Sequence, residues 1–178
     1  MNIQVETGID IGEDSSVADL AQRLQGIILD IIINNAGVWS RSNIHDLNFD
    51  GIMRQFNINS LGALRVTQAL LSNLHSGSKI AIITSRMGSI DDNTSGGSYG
   101  YRMSKVAVSM AGKSLAVDLK PQGIAVAILH PGLVSTDMTS HNGIPASEAA
   151  VGLLQRIEEL NLENTGTFWH TKGEVLPW

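Results

Sequence analysis

An α/β domain with a mainly parallel sheet is the fold this chain predicts, and three observations predict it. Short, nearly continuous apolar runs rich in branched residues occur at Ile27–Ile33, Ile80–Thr84 and Ile124–Leu129. They have the composition of strands buried on both faces. Longer helical patterns separate them, as crossovers between parallel strands require. Each run closes in a small polar or glycine-containing segment: Asn34–Gly37, Ser85 and Pro131–Thr136. In an open parallel sheet such carboxyl ends share one rim, where ligands sit.

Taken in order, Asp14-Ser-Ser-Val17 opens a helix with Val17, Leu20, Ala21 and Leu24 on one face and Asp14 or Ser15 as its cap. The strand Ile27–Ile33 follows. A second helix is expected from about Phe49 to His75, with Ile52, Phe56, Asn59, Ala63, Val66 and Leu70 along one stripe. After Ile80–Thr84 comes a loop rich in Gly, Ser and Asn, Gly88 to Gly100. A helix through Tyr101 then runs to about Lys120, where Pro121 and Gly123 stop it. Ile124–Leu129 ends at His130-Pro-Gly132, a helix spans about Pro145 to Leu160, and Gly166–Trp169 is a last short strand.

Composition narrows the function classes. The 178 residues are 43% hydrophobic, enough for one domain over 1–178 and too few for two ordinary ones. A net charge of −5, spread along the chain, favours neither nucleic acid nor an anionic membrane as partner. Without cysteine there is no disulfide framework or thiolate nucleophile, and a cytoplasmic location is the expectation. The start lacks the basic and apolar regions of a signal peptide, and the apolar run ending at Ile33 is too short to span a bilayer. Neither His-Glu-x-x-His nor Gly-x-Ser-x-Gly occurs, so no metal site and no serine-hydrolase triad is expected.

The chemistry concentrates in Tyr101-Arg-Met-Ser-Lys105. Helical spacing puts the phenol and the ammonium on one face, and a nearby positive charge favours a phenolate. Tyr101 is thereby the candidate general acid or base; Tyr99 is a rival, but the residue four beyond it is Met103, which carries no charge. Ser85 is the candidate hydrogen-bond donor to a substrate oxygen, with Ser89 as a nearby alternative. Asn59 sits mid-helix, where asparagine is a poor helix former.

These elements together resemble the short-chain dehydrogenase/reductase family: Asn35-Ala-Gly37 after a strand, Asn59, Ser85, Tyr101-x-x-x-Lys105 and Pro131-Gly-x-Val-x-Thr136, in that order. Ser85-Arg-Met-Gly-Ser89, Gly96-Gly-Ser-Tyr-Gly-Tyr101 and Leu176-Pro-Trp178 look like its branch of C-factor and sniffer-type carbonyl reductases. The resemblance implies a Rossmann-like doubly wound parallel sheet. It also implies a catalytic set of Asn59, Ser85, Tyr101 and Lys105, acting on a small carbonyl or alcohol substrate with NAD or NADP. Asn59 would hold a water joining Lys105 to solvent, or else be a buried asparagine satisfied by backbone. Asp10 and Ile11 would meet the adenine, and Asn35, Ala36 and Gly37 the adenosine ribose. Tyr101 and Lys105 would contact the nicotinamide ribose, and Pro131, Gly132, Val134 and Thr136 the nicotinamide. The helices Phe49–His75 and Tyr101–Lys120 would pair with another copy, giving a homo-oligomer.

The front of the chain departs from the pattern. Family members begin with a strand, a Thr-Gly-x-x-x-Gly-x-Gly turn, a helix and a second strand. Here Asn2–Asp10 already looks like the third strand, and Gly8 and Gly12 lack the spacing of the turn. The expectation is an N-terminally truncated fold without its first two strands and first helix, with a bare apolar edge on Ile27–Ile33. Weak or absent dinucleotide binding follows, because the amides that meet the pyrophosphate are missing. Two function classes stand: an NAD(P)-dependent oxidoreductase in its complete form, or a non-enzymatic homologue acting as a partner, signalling or regulatory protein.

Overall fold

The computed structural model describes residues 3–178. Four strands form one sheet in the order β1 (Ile31–Asn34), β2 (Lys79–Ile83), β3 (Ala125–His130) and β4 (Phe168–His170). All three pairings are parallel, with Ile32 opposite Ile80, Ile82 opposite Ile128 and His130 opposite His170. The helices are α1 (Asp14–Arg23), α2 (Phe49–Phe56), α3 (Ala63–Ala69), α4 (Tyr99–Leu119) and α5 (Ala146–Glu159). The three predicted runs are thus adjacent parallel strands.

Alternation along β2 and β3 builds a core on each face of the sheet. Ile80, Ile82, Ile124 and Val126 pack with Val108, Ala116 and Leu119 of the α4 segment and with Ala63 of α3. Ala81, Ile83, Ala125, Ala127 and Leu129 pack on the other face with Ile157 and Leu160 of the α5 segment. Helices on both faces of a parallel sheet are the doubly wound, Rossmann-like arrangement. Close approach on the first face depends on Gly112: a Cβ there would lie 2.8 Å from Ile128 Cγ1 and 3.0 Å from Ile82 Cδ1.

Several local expectations are corrected. The run Ile27–Ile33 is a strand only from Ile31, and it is not buried on both faces: Ile28, Ile31 and Ile33 are 74%, 46% and 48% exposed. Asn73 Nδ2 donates to the Leu24 and Ile27 carbonyls at 2.7 Å each, holding that stretch out of the sheet. β1 is an edge strand, and separately the face that carries Ile31 and Ile33 is uncovered among the described residues; periodicity registers apolar character, not whether a partner exists. Residues 3–10 form no strand, and Asn2, the start of the strand expected there, lies outside the described residues. A strand needs a ladder partner, and this segment pairs with none of the four strands. At α1 the N-cap is Glu13, without a side-chain cap bond, and Asp14 is the first helical residue, paired with Arg65.

The long helix expected over Phe49–His75 is α2, a π-helical segment Asn57–Gly62, α3 and a 3-10 turn Leu71–Asn73. Gly100 belongs to α4, not to the preceding loop. A Cβ there would meet Gln55 Nε2 at 2.6 Å and Ile52 Cα at 3.1 Å, so it is a contact point between α2 and α4. We expect Gly112→Val to overpack the α4–sheet interface and lower unfolding stability in urea by about 1–3 kcal/mol. An unchanged urea midpoint would contradict this packing.

Candidate active site

The site grows from the joint between β2 and α4. Ser85 lies two residues beyond β2 in extended backbone, its hydroxyl accepting from Met87 N at 3.1 Å. Tyr101 and Lys105 share one face of α4, with Lys105 Nζ 5.6 Å from the centre of the Tyr101 ring. Lys105 is only 4% exposed, and its Nζ donates to the Ile83 carbonyl, where β2 ends, at 3.0 Å. The helix sits this close because Gly88 has no side chain: a Cβ there would lie 2.7 Å from the carbonyl carbon of Lys105. The Thr84 and Ser109 hydroxyls donate to the Lys105 carbonyl at 3.0 and 2.9 Å.

Burial sets the electrostatics. Desolvation lowers Lys105 to about 8, so the ammonium is poised near neutrality. Burial pushes the Tyr101 phenol up, opposed in part by the Ser85 side chain. His130, at the end of β3, is lowered to about 4 by burial first and then chiefly by His170, its register partner. It is therefore neutral at pH 7.

Asn59 lies inside the π segment, where an extra residue per turn redirects a side chain. Its Oδ1 accepts from Val38 N at 2.7 Å, and its Nδ2 donates to Val38 O and to Ser104 Oγ, both at 2.9 Å. Backbone and a neighbouring hydroxyl thus engage both ends of this buried amide. These contacts pin the segment after β1 against α4. Gly37 fits in that joint: a Cβ would lie 3.3 Å from Asn59 Oδ1 and 3.6 Å from Lys105 Nζ.

A cleft of about 1210 Å³ gathers most of the predicted residues. Asn35, Ala36 and Gly37 line it from the segment after β1, Ser85 from the segment after β2, and Tyr101 and Lys105 from α4. Pro131, Gly132, Val134 and Thr136 line it from the segment after β3. Thr136 also caps a short turn reciprocally with Thr139, and Val134 bridges Ile144, which shapes that wall. Two rivals lie elsewhere. Ser89 is buried and donates to the Trp178 carbonyl at 3.1 Å, and Tyr99 is not part of the cleft wall.

Asp10 and Ile11 are not brought into this cleft. Asp10 organises the turn before α1, its Oδ1 accepting from Gly12 N at 2.8 Å, while Ile11 packs on Gly62. Sequence reasoning passed over His130, Arg86, Asp92 and Arg102, which also line the cleft. The signal for His130 was available, since it closes a strand at the same rim as Ser85. Among the described residues no group of three or more His, Asp or Glu is arranged to hold a metal ion, and no helix is long and apolar enough to cross a membrane.

A doubly wound sheet that gathers serine, tyrosine and lysine in one cleft is the arrangement to which comparison with known proteins gives a family. The family model for the short chain dehydrogenases matches residues 5–145, and the chain belongs to that family. A 1-hydroxy-2-glutathionyl-2-methyl-3-butene dehydrogenase of Rhodococcus sp. is 43% identical, over 99% of this chain and 81% of that protein. C-signal of Myxococcus xanthus is 44% identical, over 84% of this chain and 93% of its own length. Among solved structures, an NADPH-bound carbonyl reductase from chicken fatty liver superimposes with a TM-score of 0.90 at 27% identity, covering 98% of this chain and 77% of that one. The carbonyl reductase Sniffer of D. melanogaster gives 0.85 at 31% identity, with 96% and 76% covered.

Lys105 links the site to stability. Unfolded, it holds its proton up to its ordinary value of 10.5; folded, it releases it near 8. Between those values the unfolded chain binds more protons, so this group makes stability rise with pH above about 8. Tyr101, raised above 10.0, acts in the opposite sense only beyond that value. From pH 7 to 9.5, Lys105 should add about 2 kcal/mol to unfolding stability, and Lys105→Met should remove that increment. Identical urea–pH profiles for the two proteins would show that the lysine is not desolvated.

Proposed function

We propose that the chain carries the reacting centre of an NAD(P)-dependent oxidoreductase that reduces a small carbonyl compound or oxidises the corresponding alcohol. The buried Lys105 ammonium beside the Tyr101 ring, with Ser85 in the same cleft, is the observation that carries this reading. Ser85 donates a hydrogen bond to the substrate oxygen. Tyr101 gives its phenolic proton to that oxygen in reduction, or takes it back in oxidation. The phenolate left behind is stabilised by Lys105, whose Nζ is steadied by the Ile83 carbonyl. Asn59 acts at one remove, by holding Val38 and with it the wall that contains Gly37.

The residues fit one end of the dinucleotide. Asn35, Ala36 and Gly37 form a wall of small side chains, and Gly132, at φ +84°, leaves the facing wall open. These, with Tyr101, Lys105, Pro131, Val134 and Thr136, would hold the nicotinamide and ribose portions; the bound group would supply the hydride. The pyrophosphate end is not matched within these residues. Of the cleft arginines, Arg86 pairs with Asp92, and Arg102 donates to Gly96 O, Met87 O and Ser95 Oγ. Two or three missing charge-assisted hydrogen bonds, at about 1.5–3 kcal/mol each, weaken cofactor binding by the 178 residues alone by roughly two to six orders of magnitude.

A second reading, a partner or signalling protein that uses the fold without turnover, is favoured by one observation. C-signal, a relative of that name, is matched over 93% of its own length. Turnover separates the two. With millimolar NADPH and a ketone substrate, the chain should show slow, cofactor-dependent reduction, and Tyr101→Phe should lower it by about 10²–10⁴-fold with folding intact. Calorimetric titration should give NADH and NADPH dissociation constants weaker than micromolar. Turnover unchanged in Tyr101→Phe would overturn the catalytic assignment; micromolar affinity would reveal a phosphate site elsewhere in the chain.

Self-association is part of the same proposal. Phe49 and Met53 on α2, and Met103, Met110 and Val117 on α4, are large apolar side chains left exposed. Joining two such faces would remove them from water. Light scattering over a concentration series should report a dimer or larger species, and a monomeric mass throughout would refute it.

A further inference from the structure

Ser89 and the segment Leu176-Pro-Trp178 are singled out by the sequence and left unused by the proposed chemistry. In the structure they meet. The chain after β4 turns back and lies antiparallel beside it. His170 N donates to Glu174 O and Leu176 N to Phe168 O, each at 2.8 Å, and Trp169 bridges Val175. Leu176 is buried in one cluster with Phe168 and Ile128, and the Trp178 ring stacks at a tilt on Phe168, centroids 5.5 Å apart. Core packing therefore fixes where the Trp178 carbonyl stands.

That carbonyl accepts twice, from Ser89 Oγ at 3.1 Å and from Asp91 N at 3.0 Å. Ser89 is 2% exposed, and its oxygen in turn accepts from Asp92 N at 3.2 Å. A hydroxyl has one proton, so giving it to Trp178 leaves a lone pair for Asp92. Asp92 pairs with Arg86, and both line the cleft, Arg86 directly after Ser85 in the chain. Other parts of the loop from Ser85 to Ser98 have other anchors. Gly88 packs on the Lys105 backbone, and Arg102 donates to Met87 O, Gly96 O and Ser95 Oγ. For residues 89–92, every hydrogen bond that leaves the loop ends, among the described residues, on the Trp178 carbonyl.

We propose that Ser89 and Trp178 are positioning residues of the cleft: the segment after β4 presents one carbonyl that seats residues 89–92, and so keeps Asp92 on Arg86 in the wall that follows Ser85. Neither residue is part of the cleft wall itself, so both act through Asp92. The effect is electrostatic. With Asp92 seated, Arg86 belongs to the cleft as half of an ion pair. With Asp92 released, the guanidinium beside Ser85 loses that partner. The inference rests on the oxidoreductase reading only where the cleft is called a substrate site, and its measurement needs neither cofactor nor turnover.

NMR on the full 178-residue chain tests it. Trp178→Ala keeps the backbone carbonyl but removes the ring that places it. Amide exchange at Asp91 and Asp92 should then quicken about fivefold, the worth of one aromatic pair or neutral hydrogen bond. Ser89→Ala should quicken Asp92 by a similar factor and Asp91 less, because the acceptor of Asp91 remains. In both variants the Arg86 Nε–H signal should move toward the position it takes in Asp92→Asn, while the amides of β2 and β3 keep their exchange rates. Ile90→Ala, which alters an exposed side chain of the same loop, should do none of this. Unchanged exchange at Asp92 in both variants, acceleration shared by β2 and β3, an unmoved Arg86 signal, or the same response in Ile90→Ala would each overturn the proposal. Loosening at Asp91 and Asp92 without ketone reduction by the native chain would keep it and defeat the redox reading. Reduction that Tyr101→Phe lowers, with Asp91 and Asp92 unmoved in Trp178→Ala, would do the reverse.

Discussion

A lysine ammonium buried at a strand end is the constraint on which this site depends. Lys105 is held by the Ile83 carbonyl alone among the described residues, and it lies beside an aromatic ring. Such a charge is costly to desolvate, which is why its proton is loosely held. The surroundings are arranged to tolerate it. Gly88 lets α4 approach β2, Gly37 leaves room at Nζ, and the Thr84 and Ser109 hydroxyls fix the lysine's own backbone. Tyr101 inherits its position from this arrangement, one turn earlier on the same helix.

Asn59 does for the opposite wall what Gly88 does for α4. A regular helix from Phe49 onward would carry the same residues in another rotation. The π segment places an asparagine against Val38 and Ser104 at once, with both ends of its amide used. Ser104 in turn donates to the Tyr101 carbonyl, and Ser60 donates to the Ser104 carbonyl. The walls of the cleft are therefore coupled through short polar contacts beneath its floor. Those contacts are independent of any ligand, so Tyr101 and Lys105 are held in place without one.

The sheet edge at β1 has the opposite character. Ile31 and Ile33 stand exposed on a strand whose outer backbone groups have no ladder partner among the described residues. The Asn35–Gly37 wall begins at the end of that strand. Order at the edge and order at the Asn35–Gly37 wall of the cleft are accordingly one physical question, because that wall continues directly from β1. The side of the cleft that holds Ser85, Tyr101 and Lys105 rests on β2 and β3, which are enclosed on both faces, and on α4.

The sequence by itself determined the parallel α/β class, the three adjacent strands and the residues that meet at their carboxyl ends. Those properties are local: branched apolar runs, helical spacing and short polar turns are visible within a few residues. The same locality explains its errors. Apolar character made Ile27–Ile33 look doubly buried, although burial needs a neighbour that the pattern does not report. Helical periodicity ran unbroken across Asn57–Gly62, because a π segment changes rotation without changing composition. It also left Ser85 against Ser89, and Tyr99 against Tyr101, to be separated by spatial position. Only the tertiary structure could separate Asp10 and Ile11 from the cleft, and only it could add His130 to it. Each of these is decided by contacts between residues far apart in the chain.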